Sequence, residues 1–436
     1  IFPKPMGLRA TGDRRLAYAV GLAVARQSRA VGFNWIHSPV LAINVNPANP
    51  EICTRAYSDR VEEVITYAEQ TCRGLKEGGL IATGKHFPGR GDSACDAHYE
   101  LPVITVDRET MLARELLPYR VLIEKGLLPA IMIAHSIYPA FDEEHVATVS
   151  KRILTGLLRE ELGFEGVITT DSMTMGAIAN KYGVANACAM ALEAGADLVL
   201  MKAENRLVEE TFTTIRRFVA EGRIGEEELD AKVYRVLNLK YQYGLFHPWS
   251  FPSEKPEEVI ADEGILTLSR TVARRSVLIA RDRRGSLPLK RDQRLLLIEQ
   301  ATKTPNDLYW HPGTLYKYCL SYNRNVAYLE TAHVHDEDDR RRIAEALPEF
   351  DTVVVTNFYR RDLLCNNETV RWLAQDPARR VIVVTNTPYE LSIPVEADTV
   401  IVTFATSPRN LEVVAGVLFG QIVPEGEGPV AYRLPD

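Results

Sequence analysis

No apolar run in this sequence approaches the ~20 residues that a membrane-crossing helix needs, so no membrane span is expected. Cysteine is scarce. The six present, Cys53, Cys72, Cys95, Cys188, Cys319 and Cys365, lie far apart, and no C-x-x-C occurs. That spacing argues against a disulfide scaffold or a zinc ribbon and favours reduced thiols, and with them the cytoplasm. Long basic runs are missing as well, and 51 Lys and Arg against 58 Asp and Glu leave a net charge of −7. Neither nucleic acid nor an anionic membrane is therefore an expected partner. The short cluster Arg340-Arg341-Arg342 is flanked by Asp338, Asp339 and Glu345 and reads as a solvated helix face. Neither G-x-G-x-x-G nor G-x-x-x-x-G-K-[ST] is present, so no nucleotide cofactor is expected. Residues Ile1–Pro5 lack the basic start and long apolar core of a signal peptide.

What is present is an ordinary globular composition, 46% apolar and 25% charged, in a length that suits two domains. Short apolar runs at Phe33–Val40, Leu80–His86, Pro129–His135, Gly166–Asp171 and Asp197–Met201 alternate with helical patterns. Those patterns lie at Arg60–Glu77, Arg108–Lys125, Ser150–Leu162, Tyr182–Ala194 and Glu228–Tyr241. Continuous apolar strands between helices predict a parallel sheet covered on both faces. Several runs end on a polar residue, namely His86, His135, Asp171 and Lys202, where a (β/α)8 barrel carries its active site. The prolines of Phe246–Pro256 predict a linker. Beyond it, strand candidates at Ser276–Ala280, Leu295–Ile298, Val326–Leu329, Thr352–Thr356, Val381–Thr385 and Thr399–Phe404 predict a second α/β domain with an open sheet. The expected organisation is a (β/α)8 TIM-type barrel over residues 1–248, a linker at 249–256 and an α/β sandwich over 257–436. The barrel region holds fewer recognisable strands than closure requires, so strands are expected before residue 1.

The densest polar segment is Lys85-His86-Phe87-Pro88-Gly89-Arg90-Gly91-Asp92-Ser93-Ala94-Cys95-Asp96-Ala97-His98. It leaves a strand end and enters a loop with two glycines. Asp96 and His98 are two residues apart, which in extended backbone puts both side chains on one side. A carboxylate beside an imidazole fixes its tautomer and stabilises the imidazolium, which makes a proton donor. The competing reading is a surface loop with incidental charges. Arg90-Gly91-Asp92 also spells an adhesion tripeptide, but three residues recur by chance. A divalent metal on His86, Asp92, Asp96 and His98 lacks the helical ligand spacing such sites use, so no metal is expected. Downstream, Gly163-Phe164-Glu165-Gly166-Val167-Ile168-Thr169-Thr170-Asp171-Ser172-Met173-Thr174-Met175 carries a β-branched strand ending on Asp171. Asp171 either points into a barrel mouth or caps the following helix.

Together these segments resemble glycoside hydrolase family 3, and within it the β-N-acetylglucosaminidase branch. The resemblance rests on Lys-His-Phe-Pro-Gly-x-Gly-Asp followed by Asp-x-His, and on Gly-Phe-x-Gly-x-x-x-x-Asp-Ser-Met-x-Met. Asn46–Pro50 with Arg55–Ser58, Met132–Pro139, Leu157–Phe164 and Val417–Gly420 extend it along the chain. It implies a barrel followed by an α/β sandwich, with Asp171 as nucleophile and Asp96/His98 as the acid/base dyad. It places Lys85, His86 and Arg55 on the sugar hydroxyls, with His135 and Met173 as further substrate-binding candidates. Two departures stand out. The Asp-x-Glu-Gly-Gly motif that relatives carry ahead of the region matching Pro3–Asp13 is absent, which agrees with an earlier biological start. Arg90 stands where many relatives have His.

The implied reaction is retaining hydrolysis, which needs two such groups about 5–5.5 Å apart. Asp171 attacks the anomeric carbon, His98 protonates the leaving oxygen, and neutral His98 then activates water. With His98 protonated the dyad is net neutral, so an anionic acceptor such as phosphate meets less repulsion and phosphorolysis can compete. The expected ligand is an oligosaccharide or small glycoside bearing terminal N-acetylglucosamine: a peptidoglycan fragment, a chitin oligomer or a glycoconjugate. Rival readings are a β-glucosidase of the same family, a non-catalytic sugar-binding protein and a metal hydrolase.

Overall fold

The computed structural model describes residues 1–202, 204–247, 254–301, 313–361 and 364–431. The chain divides into two compact units, one of Ala17–Ile52 and Ser58–Asp262, the other of Ile1–Leu16, Cys53–Tyr57 and Glu263–Asp436. Of the expected linker, residues 249–253 fall outside the described residues, and Pro256 opens a short helix to Ile260.

The first unit contains β1 (Thr83–Phe87), β2 (Ala130–Ile133), β3 (Ile137–Tyr138), β4 (Asp142–Val146), β5 (Val167–Ser172) and β6 (Leu198–Leu200). A four-stranded parallel sheet runs in the order β1-β2-β5-β6. The segment around Trp35–Val40 joins beside β1 through parallel bridges from Trp35 to Ile81 and from Val40 to Lys85. Ile131, Ile133 and Ile168 are fully buried, as strands covered on both faces require. The helix Val61–Glu77 shows why such segments fold: Val64, Tyr67, Ala68, Thr71, Cys72 and Leu75 recur at helical spacing and form its buried stripe. The helix expected over Arg108–Lys125 is interrupted, because Pro118 sits in the first turn of a fresh helix, Leu117–Glu124. The antiparallel pair β3–β4 was not legible in the sequence pattern. Among the described residues no helix is long and apolar enough to cross a membrane.

The second unit has one six-stranded sheet built from β7 (Leu278–Asp282), β8 (Leu295–Gln300), β9 (Val326–Thr331), β10 (Thr352–Thr356), β11 (Arg380–Thr385) and β12 (Thr399–Val402). The order is β7-β12-β11-β10-β8-β9, with β7 the antiparallel edge. Side chains alternate between two apolar cores. Leu296, Ile298, Val353, Val355, Val381 and Val383 enter one, and Leu295, Leu297, Val354, Ile382 and Val384 enter the other. Burying each such side chain is worth ~1.5–3 kcal/mol.

The division differs from the expected boundary of 1–248. The helix Pro5–Ala10 sends Met6 and Ala10 into the core of the second unit, beside Leu296 and Val353. The Lys4 N–H donates to the Phe404 carbonyl (3.2 Å), and the Glu427 N–H to that of Ala10 (2.8 Å).

Glu299, fully buried at the end of β8, accepts the amide N–H groups of Leu315 (2.9 Å) and Tyr316 (3.2 Å). Burial pushes its carboxyl up to about 7, against those amides. A folded-state value above the unfolded one means that the folded state binds the extra proton. Its stabilising contribution is complete below the unfolded value and disappears as pH rises through about 7. Stability measured by denaturant titration should therefore fall between pH 5 and 8. Glu299→Gln should flatten that slope by an amount on the order of 2–3 kcal/mol. An unchanged slope would refute the assignment.

Candidate active site

The polar loop begins at an irregularity in β1. Lys85 pairs with Met132 and Phe87 with Ile133, so His86 falls in a bulge, a local distortion that re-aims a side chain. Phe87 holds the strand end by packing edge-on against Tyr119, with ring centroids 5.2 Å apart. From Gly89 to His98 the chain has neither helix nor strand, and hydrogen bonds from the surroundings hold it instead. Tyr138 donates its hydroxyl to the Gly89 carbonyl (2.8 Å). Asn49 Nδ2 donates to the carbonyls of Arg90 (2.8 Å) and Gly91 (3.2 Å), and Asn46 Nδ2 to that of Ser93 (3.1 Å). Position 91 admits only glycine, since a Cβ there would lie 1.6 Å from the Ile43 carbonyl oxygen.

Asp96 and His98 meet, but in a turn and not in the extended backbone that the spacing argument assumed: the Tyr99 and Glu100 N–H groups return to the Asp96 carbonyl (3.1 and 3.0 Å). Asp96 Oδ1 accepts both the His98 N–H (2.9 Å) and ring Nδ1 (2.7 Å). The carboxylate therefore keeps the proton on Nδ1 and leaves Nε2 for proton exchange. The Asp96 side chain is 8% exposed and that of His98 34%, so the imidazole is the member open to solvent. Between them, Ala97 packs with Met175 and Ala177, and its carbonyl accepts the Ala177 N–H (3.3 Å). This small apolar contact ties the loop to the segment that directly follows Asp171.

Asp171 lies at the C-terminal end of β5. Its Oδ1 accepts the Ser172 N–H (2.7 Å), and its Oδ2 is 3.6 Å from Nε2 of the buried His86. His135, at the end of β2, is fully buried with both ring nitrogens engaged: Nε2 with the Ser172 carbonyl (3.0 Å) and Nδ1 with Thr148 Oγ1 (2.7 Å). A carbonyl only accepts, so Nε2 carries a proton. Burial lowers the ring's affinity for a second one, against the pull of Asp171, and the Thr148 hydroxyl donates to the Ala134 carbonyl (3.0 Å). His135 thus braces the backbone next to Asp171. Met173 is also fully buried, its N–H bound to the Leu200 carbonyl (2.8 Å). Lys85 is half-buried on β1. Arg55 ends a short helix, Cys53–Arg55, that belongs to the other unit.

Sequence reasoning missed two groups here. His37 feels Lys85 and Asp171 together: burial lowers its pKa, the Lys85 ammonium adds to that, and Asp171 opposes it. Glu51 is buried against Arg90 in a two-pronged pair, Nη1–Oε1 3.0 Å and Nη2–Oε2 2.5 Å. A lone acid inside Asn46–Pro50–Glu51 and a lone Arg inside a glycine loop carry no signal until the fold joins them. Behind the loop, Arg114 links Asp92 (3.2 Å) to the buried Glu115 (2.7 Å), whose carboxyl burial pushes up to about 7 despite Arg114.

These pairings also bear on the metal reading. Among the described residues one acidic and imidazole group is compact enough for a cation, Glu51 with Asp96 and His98, whose ligand atoms lie within 4.8 Å of one another. Both Glu51 oxygens already accept from Arg90, and Asp92 pairs with Arg114. A cation there would sit against the Arg90 guanidinium, whose positive charge opposes it.

Residues 1–239 match the glycosyl hydrolase family 3 N-terminal domain. A protein of Cellulomonas fimi described as a β-N-acetylglucosaminidase/β-glucosidase is 30% identical over 298 residues, which cover 66% of this chain and 52% of that one. A β-hexosaminidase of Thiobacillus denitrificans is 35% identical over 205 residues, 46% of this chain and 55% of its own. The chain spans about half the length of these curated relatives. Among solved structures, a family 3 β-N-acetylglucosaminidase from Paenibacillus sp. str. FPU-7 superposes with a TM-score of 0.91 at 30% identity, over 100% of this chain and 83% of that one. The fold is accordingly that family's TIM-type barrel followed by an α/β domain, even though the described strands do not themselves close the barrel. Since the family match covers more than half of the sequence, the chain belongs to glycosyl hydrolase family 3.

Proposed function

We propose that this chain carries the catalytic machinery of a retaining, exo-acting β-N-acetylglucosaminidase. The observation that carries the reading is the Asp96–His98 hydrogen bond on a loop packed, through Ala97 and Met175, against the segment after Asp171. Asp171 is the nucleophile, and its carboxylate forms the glycosyl ester. His98, held by Asp96, gives its Nε2 proton to the leaving oxygen and takes one back from the incoming water. Lys85 and His86, beside Asp171, are the sugar-binding candidates. His135 acts on the strand end, where its ring nitrogens are already used. The substrate class is a terminal β-linked N-acetylglucosaminide, from a peptidoglycan fragment, chitin oligomer or glycoconjugate. The names of the Cellulomonas and Paenibacillus proteins support that class. A chromogenic panel separates it from a β-glucosidase: N-acetylglucosaminides should turn over faster than glucosides. In phosphate buffer, the group facing the ester after His98 has given up its proton is an uncharged imidazole and not a carboxylate, so phosphate should intercept the ester and release sugar 1-phosphate alongside free sugar.

Asp171→Asn should leave the fold intact and lower turnover by about 10³-fold or more, since nothing replaces the nucleophile. A fluorinated sugar that traps the ester should label Asp171, and a label on another carboxylate removes the assignment.

His98→Ala should slow substrates with poor leaving groups by about 10²–10⁴-fold and activated phenyl glycosides much less, with azide restoring turnover on the latter. Asp96→Asn should be milder, because the imidazole remains. An equal fractional loss on both substrate types, without azide rescue, would make His98 a structural residue.

A further inference from the structure

The dyad loop contains a buried ion pair that the chemistry itself does not require. Arg90 is fully buried and Glu51 is 3% exposed, yet they face each other as a two-pronged fork. Taking both charges out of water is costly, so such a pair is weak evidence for stability and calls for another reason. The surroundings supply one. Glu51 Oε2 also accepts the N–H of Ala97, at a long 3.4 Å, and Ala97 is the residue between Asp96 and His98. Asn49 joins the two partners through the backbone. Its Oδ1 accepts the Glu51 N–H (3.1 Å), and its Nδ2 donates to the Arg90 carbonyl (2.8 Å). Glu51 reaches within 4.8 Å of the Asp96 carboxylate and the His98 ring. Unpaired, a second carboxylate there would repel Asp96; paired with Arg90 it is half of a neutral unit.

We infer that Glu51 and Arg90 are positioning residues for the acid/base dyad, Arg90 orienting the Glu51 carboxylate and Glu51 holding the Ala97 amide so that Asp96 and His98 keep their place. The inference rests on His98 being the proton donor. A planar guanidinium with two parallel donors makes this fork, whereas a lysine ammonium is a single point of charge. Because the fork acts through the loop, its loss should impair proton delivery rather than sugar binding.

The test uses Glu51→Gln, Arg90→Lys and the double variant Glu51→Leu/Arg90→Met, which replaces the pair by apolar side chains and avoids a stranded buried charge. Melting curves check folding, and kcat and KM are measured on N-acetylglucosaminides with one poor and one good leaving group. His98→Ala is run beside them. The double variant should stay folded and lose on the order of 10- to 100-fold in kcat on the poor leaving group, while changing about 3-fold or less on the good one and in KM. Arg90→Lys should fall between wild type and the double variant, and Glu51→Gln, which turns an amide donor toward Arg90 and leaves its charge unanswered, should lose at least as much rate as Arg90→Lys. A folded double variant with unchanged kcat, or with equal losses on both substrates, overturns the inference while His98→Ala still shows its leaving-group dependence. If His98→Ala shows no such dependence, the proton-donor reading itself falls, and the inference with it.

Discussion

Between Gly89 and His98 the chain has no ladder or helical turn to hold it, yet it must present Asp96 and His98 to within a fraction of an ångström of a useful place. What substitutes is a set of side chains bonded to the loop backbone: Tyr138 on Gly89, Asn49 on Arg90 and Gly91, Asn46 on Ser93 and Glu51 on Ala97. Each spares a buried carbonyl or amide from being left unpaired, and the penalty for losing it makes the loop conformation specific. Gly91 is part of the same constraint, because the loop passes too close to Ile43 for any side chain.

The Asp171 end of the site is organised by regular structure instead. The parallel register of β1, β2 and β5 brings their C-terminal ends side by side, so His86, His135 and Asp171 become neighbours although they are far apart in sequence. His135 then contributes through the Ser172 carbonyl, and its fully buried ring, with both nitrogens engaged, suits a brace better than a ligand. Asp171 keeps one oxygen on its own neighbour's amide and turns the other toward His86. One side of the site is thus a polar loop pinned by its surroundings, and the other is a strand end set by sheet register.

The second unit solves a different problem. Its sheet is buried on both faces, as the two apolar cores drawn from alternate residues of the same strands demonstrate. Polar groups inside it must be answered locally, and Glu299 is answered by two amides while burial keeps its carboxyl protonated well above the usual range. The helix Pro5–Ala10 joins this core through Met6 and Ala10 and packs against the helix Glu263–Ser276.

The sequence by itself determined the local elements. Val167–Thr170 is β-branched and apolar, so it is a strand ending at Asp171. The two-residue gap between Asp96 and His98 lets one carboxylate reach the imidazole, and continuous apolar runs at 295–298 and 353–355 demand a sheet covered on both sides. These outcomes depend on period and spacing, which a linear string carries. Tertiary structure alone decided which distant residues meet: Glu51 with Arg90, His135 with Ser172, Met6 with Val353, and the antiparallel edge position of β7. A pair separated by 39 residues leaves no periodic trace, and its worth comes from burial, which exists only after the chain has closed around it.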